Sequence, residues 1–304
     1  MLGESRNLSY ASGAVFFPAD IPLRSTLPGP ALTHARASSH QRSHGVLEIA
    51  FRRRGERTVL ADLRQEGCLK ARFPRPHDGL EAVTLNTSGG IAGGDGLRSA
   101  ITLHEATRVT LAAQAAERFY RTLPSDLPAR IRTAVTLAPG AALEWLPQEA
   151  ILFDGCAFDR ALDVTMAADA AFLGVESLVF GRAAMGERLR SARIADAIRI
   201  RRGGQLVLHD SIRLSGRVEA VLARPAVAAG AQAVATLVLV APDAESRLEA
   251  LRTALAPFEA GASAWNGMLL ARILAPDGAA LRAAVVAGLE CLRGGRSLPR
   301  VWMC

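Results

Sequence analysis

The sequence predicts a mainly β protein with a smaller α component, its strands stacked as a solenoid or a folded-over sandwich and followed by two C-terminal helices. Three observations predict it. Short runs that alternate apolar and polar residues at period two follow one another from Gly45 onward, punctuated by Gly, Pro and Asp. Some of these runs recur as an internal repeat. The last third of the chain changes to units that read strand, then Ala-Pro-Asp, then helix.

Residues 1–41 read as a flexible tail, with scattered Pro and Gly, a Ser-rich stretch around Ser38 and Ser39 and no sustained periodicity. Residues 42–304 read as a single domain. GVLEIAF opens it at Gly45, and RTVLADL, LEAVTLN, RSAITLH, TRVTLAA, ARIRTAVTL, AALEWLP, RALDVTM, ARIADAIRI and QLVLHDSIRL follow. Each is a strand in which one face is apolar. Ile101-Thr-Leu, Val135-Thr-Leu and Val164-Thr-Met each end a run, and each is followed after a short turn by a new apolar run near Val109, Leu143 and Phe172. Units of this kind bury their apolar faces on one another when stacked.

The two C-terminal units, VATLVLVAPDAESRLEALRTAL and MLLARILAPDGAALRAAVVAGL, predict helices near 243–260 and 277–293. Asp243 and Asp277 stand where a carboxylate caps the unpaired N–H groups of a helix start. Leu248, Leu251, Leu255 and Phe258 form one apolar stripe, and Leu281, Val285, Leu289 and Leu292 another.

Composition removes several classes of function. Half of the 304 residues are hydrophobic, which excludes disorder for most of the chain. No apolar run reaches the ~18 residues of a membrane span, and the N-terminus lacks a basic stretch leading into an apolar one, so a cytoplasmic protein with no membrane partner is expected. The net charge of +7 is almost entirely arginine, Lys70 being the only lysine. Basic clusters occur at Arg52, Arg53 and Arg54 and at Arg199, Arg201 and Arg202, but aromatic residues make up only 5% of the chain, so nucleic acid is not an expected partner. Cys68, Cys156, Cys291 and Cys304 form no CxxC pair and read as plain thiols.

The densest motif is NTSGGIAGGDGL, residues 86–97. Its paired glycines, Gly89 with Gly90 and Gly93 with Gly94, permit a tight turn that either structures the chain or presents Asp95 at a loop tip. It is no P-loop, because no Gly-Lys-Ser/Thr follows, and no dinucleotide fingerprint, because a strand follows where a helix is required. A second feature is a polar series inside apolar strands: Gln114, Glu117, Arg118 and Tyr120, then Glu144, Gln148 and Glu149, then Glu176. Carboxylates in such strands are costly to bury unless paired or wet. Three readings are open: ion pairs of Glu117 or Glu149 with Arg118 or Arg182, a catalytic carboxylate pair, and an acid-lined path for a cation. His34, His40 and His44 are spaced in the tail, and His77, His104 and His209 are isolated, so no preorganised His site is expected. No G-x-S-x-G elbow and no H-E-x-x-H occurs.

The order NTSGGIAGGD (86–95), QAAERFYR (114–121), LEWLPQEAILF (143–153), ESLVFGRAAMGE (176–187) and LPRVW (298–302) resembles the UreD family of urease accessory proteins, called UreH in some organisms. The resemblance runs from about Arg42 to Trp302. It departs at Ala112-Ala113, where many members carry two Thr, and at Arg118, where Lys is common. It implies a non-enzymatic maturation factor that binds UreF-like and UreG-like accessory proteins, docks on apo-urease and helps insert nickel. No tightly bound cofactor is implied, only nickel in transit. Asp95, Glu144, Glu149 and Glu176 are the expected nickel path, and Gly89, Gly90, Gly93, Gly94, Gln114, Tyr120 and Gln148 the structural residues of the family motifs. The alternative from another class is a β-solenoid enzyme acting on a carbohydrate or an anion, with Glu144, Glu149 or Glu176 as acid and base.

Overall fold

In the computed structural model, which describes residues 41–75, 79–182 and 185–303, two large sheets face each other, and the chain crosses from one to the other about once per repeat. Sheet A contains β1 (His44–Arg54), β2 (Arg57–Gly67), β5 (Gly96–Leu103), β8 (Ala129–Leu137), β11 (Ala157–Met166), β14 (Ser191–Arg202) and β15 (Gln205–Arg217). Sheet B contains β3 (Leu69–Arg72), β4 (Leu80–Asn86), β6 (Arg108–Ala113), β9 (Ala142–Leu146), β12 (Ala171–Arg182), β16 (Ala233–Val240), β17 (Ala260–Trp265) and β18 (Met268–Ala275). The short strands β7 (Glu117–Phe119), β10 (Ala150–Leu152) and β13 (Glu187–Arg188) extend it. The expected tail lies outside the described residues apart from Gln41, as do His34, His40, His77 and Cys304.

The repeat read from the sequence is the stacking register. Ile101 pairs with Val135, Val135 with Val164 and Val164 with Ile200, while Ile49 pairs with Ile101 on the other side. All five are buried. In sheet B, Leu80, Val109, Leu143 and Phe172 form the corresponding ladder. Ile91, Phe119, Leu152 and Phe180 make a third. Each buried aliphatic or aromatic side chain contributes about 1.5–3 kcal/mol, so a one-residue slip that turned a ladder toward water is prevented many times over.

The inner faces of both sheets share one core, and the outer face of sheet B shares a second with the C-terminal helices. Strands β12 and β16 take part in both, which is why VATLVLV reads as continuously apolar: every residue of β16 is buried. Helix α1 (Val218–Leu222) closes the end of the first core. Helices α2 (Leu248–Leu255) and α3 (Gly278–Leu292) turn Leu251, Leu255, Leu281, Val285, Leu289 and Leu292 into the second, as their stripes require. Asp277 caps α3, accepting a hydrogen bond from the Ala280 N–H at 2.8 Å. Asp243 caps nothing. A 3-10 turn over Glu245–Arg247 precedes α2, and the Asp243 carboxylate is held by the Arg247 guanidinium at 2.5 Å instead.

Candidate functional site

The site arises where sheet B breaks. Strands β6 and β9 pair as far as Ala112 and Leu146, and β7 and β10 resume at Glu117 and Ala150. Residues 113–116 and 147–149 therefore line a gap in the wall of the solenoid, formed by the two motifs that carry Gln114 and Gln148. Behind it a cavity of about 260 Å³ lies between the sheets, bounded by Leu47, Ile101, Trp145, Glu117, Arg160 and Glu176 among others. Gln114 stands exposed at its rim.

Two carboxylates enter this cavity. Glu176 on β12 is bound by the Arg160 guanidinium from sheet A at 2.9 Å and accepts a hydrogen bond from the Trp145 indole N–H at 2.9 Å. Arg160 also makes a two-pronged contact with Asp196, its neighbour on β14, at 2.8 and 2.7 Å. One cation thus serves two carboxylates. Burial pushes the Glu176 carboxyl up; Arg160 opposes this and the Asp196 charge reinforces it, leaving a net rise. Arg160 itself is held in its charged form, burial being outweighed by the charges of Asp196 and Glu176. Glu117, on β7, accepts amide hydrogen bonds from Asn86, at 3.2 Å to each oxygen, and burial raises its pKa as well, against the Asn86 amide, the Arg118 backbone N–H and the Arg160 charge. Beyond Glu176 the polar line continues: Thr236 pairs with it across β16, and Arg272 donates to Thr236 and to Asp210, each at 2.7 Å.

The other expected carboxylates sit elsewhere. Glu144 points to the outer face of sheet B, where Arg293 holds it at 3.0 Å, Thr110 donates at 2.6 Å and Arg296 adds a second cation. Burial pushes its pKa up, but these bonds and charges more than reverse that, and the carboxyl lies below its ordinary value. Glu149 pairs with Arg282 at 3.4 Å in a groove outside the cavity. Asp95 is turned inward, accepting hydrogen bonds from the Ser43 and Ala92 N–H groups at 2.8 Å each, so it ties the loop and is not presented at its tip. The ion-pair partners also differ from expectation, because Arg182 holds Glu187 and the cation for Glu149 comes from α3. Glu144, Glu149 and Glu176 line no common cavity.

Several motif residues make close contacts around the gap, whereas Gln114 stands at the cavity rim. A side chain at Gly90, where φ is +147°, would meet the Tyr120 ring at 2.4 Å, and one at Gly93 would meet Thr122 at 2.3 Å. The loop of Gly89 and Gly94 lies that close because Ile91 bridges Phe119, and the Tyr120 hydroxyl donates to the Gly89 carbonyl at 2.9 Å. Gln148 donates to the Val301 carbonyl and accepts from Arg282, while the Trp302 indole N–H donates to the Leu146 carbonyl, so the terminal LPRVW motif straps the gap from outside. Arg160 and Asp196 were not singled out by the sequence reading, although each interrupts the apolar positions of its own strand.

Among the described residues no group of three or more His, Cys, Asp or Glu gathers to hold a metal, and Cys68, Cys156 and Cys291 are unpaired thiols. Burial pushes the Cys156 thiol up to about 12. No described helix is long and apolar enough to cross a membrane.

Fold and site define a two-sheet β-solenoid that encloses a charged cavity and is strapped by a small helical layer. The chain belongs to the UreD family: the family model described as UreD urease accessory protein matches residues 43–303. It is similar to the urease accessory protein UreD of Methylobacterium sp. (strain 4-46), 49% identical over 86% of this chain and 95% of the relative. It is also similar to those of Dinoroseobacter shibae, 46% identical over 90% and 97%, and Xanthobacter autotrophicus, 44% identical over 92% and 96%.

Proposed function

We propose that this chain is a non-catalytic urease maturation factor of the cytoplasm, which joins UreF-like and UreG-like accessory proteins on apo-urease and lets nickel pass to the urease active site. The names of its relatives support the urease role. The observation that carries nickel passage is the cavity behind the gap, where Glu117 and Glu176 face one another's surroundings with Arg160 as the neighbouring cation. A transit site must attract a divalent cation and also release it, so carboxylates backed by a counter-charge suit it better than a closed ligand set. Glu176 already spends its oxygens on the Arg160 guanidinium and the Trp145 indole N–H, whereas Glu117 holds neutral amide donors and no ion pair at hydrogen-bond distance, so Glu117 is the better transient ligand. Asp95, Glu144 and Glu149 then serve the scaffold, with nickel entering past Gln114 and leaving along Thr236 and Asp210.

The test is a strain lacking this gene, complemented with the wild-type chain, Glu117→Gln or Glu176→Gln. Without the chain, urease subunits should accumulate nearly free of nickel. Normal nickel content in the deletion strain would overturn the maturation reading. Each Gln variant should assemble with its partners and lower the nickel content of urease, and full loading by both would overturn passage through this cavity.

A further inference from the structure

The cavity behind the gap has a neighbour. A second void, of about 10 Å³, lies between the sheets with Glu176, Asp196, Asp210 and Thr236 around it. It has room for a single water-sized occupant. Among the described residues Glu176 alone lines both spaces, while Arg160 lines only the larger and Asp196 only the smaller. The three side chains are buried and joined, so their ion pairs form the wall between the two spaces.

Every guanidinium nitrogen of Arg160 is engaged. Nε and Nη2 hold Asp196 at 2.8 and 2.7 Å, and Nη1 holds Oε2 of Glu176 at 2.9 Å. The other Glu176 oxygen, Oε1, accepts from the Trp145 indole N–H. An arginine placed only to neutralise Asp196 is complete with the two-pronged pair. Its third bond reaches the opposing sheet and gathers two carboxylates on one cation, which leaves negative charge in excess out of water. On the Asp210 side of the smaller void the balance is one to one, since Arg272 meets that single carboxylate at 2.7 Å. The surplus is therefore local to Glu176 and Asp196.

We propose that Arg160 is the gate of the cation passage: its guanidinium is a resident cation at the place where a divalent ion crosses from the larger space to the smaller, and the ion displaces it from Glu176 while Asp196 keeps it tethered. This rests on the passage proposed above. Trp145 keeps Glu176 oriented during the exchange, so that Oε2 trades one cation for another. A competing cation built into the wall also keeps the site from holding nickel tightly, because it returns when the ion moves on.

The test measures Ni2+ binding to the full chain by equilibrium dialysis, with denaturation midpoints as the check on folding. The double variant Arg160→Gln with Asp196→Asn removes the gate yet keeps the formal charge of the group, one cation and one carboxylate having gone together. It should bind Ni2+ about tenfold more tightly than wild type, and retain it when apo-urease is added. Asp196→Asn alone unties the guanidinium and gives it wholly to Glu176, so the affinity should fall severalfold below wild type. That single change keeps a one-to-one ion pair and nearly the same volume, and it carries the test if the double variant does not fold. Glu176→Gln added to the double variant should abolish the gain. Affinity that fails to rise in the folded double variant or to fall in Asp196→Asn overturns the gate, as does a gain that survives Glu176→Gln. Full nickel loading of urease by both Glu117→Gln and Glu176→Gln overturns the passage itself and the gate with it, so the two failures are told apart.

Discussion

Glu144 and Glu176 come from adjacent strands of sheet B and point to its opposite sides. Both are largely buried, yet their carboxyl groups shift in opposite directions. On the outer side two arginines and a threonine converge on one carboxylate, and its charged form wins. On the inner side one arginine is divided between Glu176 and Asp196, and the desolvated charge is left under-compensated. The direction is set by the number of cations per carboxylate more than by burial. The outer site has the chemistry of a clamp, and the inner one that of a place where a further cation is welcome.

The largest effect that sharpens this contrast is expected at the C-terminal strap, on the chain segment that follows the clamp's arginines. Trp302→Ala should remove the buried end of the C-terminal strap and cost about 3–5 kcal/mol, read as a fall in the denaturation midpoint. Glu144→Gln comes next, because it leaves the nearly buried Arg293 without its carboxylate; about 3 kcal/mol of stability should go while the cavity is untouched. Glu176→Gln should cost less, about 1–2 kcal/mol, since Arg160 keeps its paired contact with Asp196, but it should lower nickel loading of urease. Equal stability losses in the two Gln variants would break the comparison.

Titration provides a smaller and signed effect. The Glu144 pKa is lowered by folding, so its contribution is complete above the ordinary carboxylate range and disappears as the pH falls through the depressed folded value. The stability deficit of Glu144→Gln should therefore shrink toward acid. Glu117 and Glu176 are raised by folding, so the stability they contribute is complete below the ordinary range and is lost as the pH rises through the raised values. Relative to wild type, Glu117→Gln should gain stability as the pH climbs above the ordinary carboxylate range. Near neutral pH its net change should stay within about 1 kcal/mol, the smallest of the series, and a large loss in denaturation would mean that Glu117 braces the fold.

The sequence alone determined a mainly β chain of stacked strands with a smaller helical part, and left solenoid and folded-over sandwich open. Ile101, Val135 and Val164 recur because each coil must turn an aliphatic residue inward at the same height, and that requirement is local, periodic and visible in one dimension. The capping of α3 by Asp277 and the apolar stripes of both long helices were legible for the same reason, whereas Asp243 was misjudged because a 3-10 turn and Arg247 compete for it. Arg160 and Asp196 were also legible in principle: each occupies an inward position between apolar neighbours, Phe158 and Leu162 in one strand and Ile194 and Ile198 in the other. Only the tertiary structure decided which carboxylates share a cavity. Glu144, Glu149 and Glu176 look alike in the sequence, but alternate residues of a strand face opposite sides, and their cations arrive from far along the chain, Arg293 and Arg282 from the C-terminal segment and Arg160 from the opposing sheet. A charge finds its partner through space, and sequence spacing does not carry that distance.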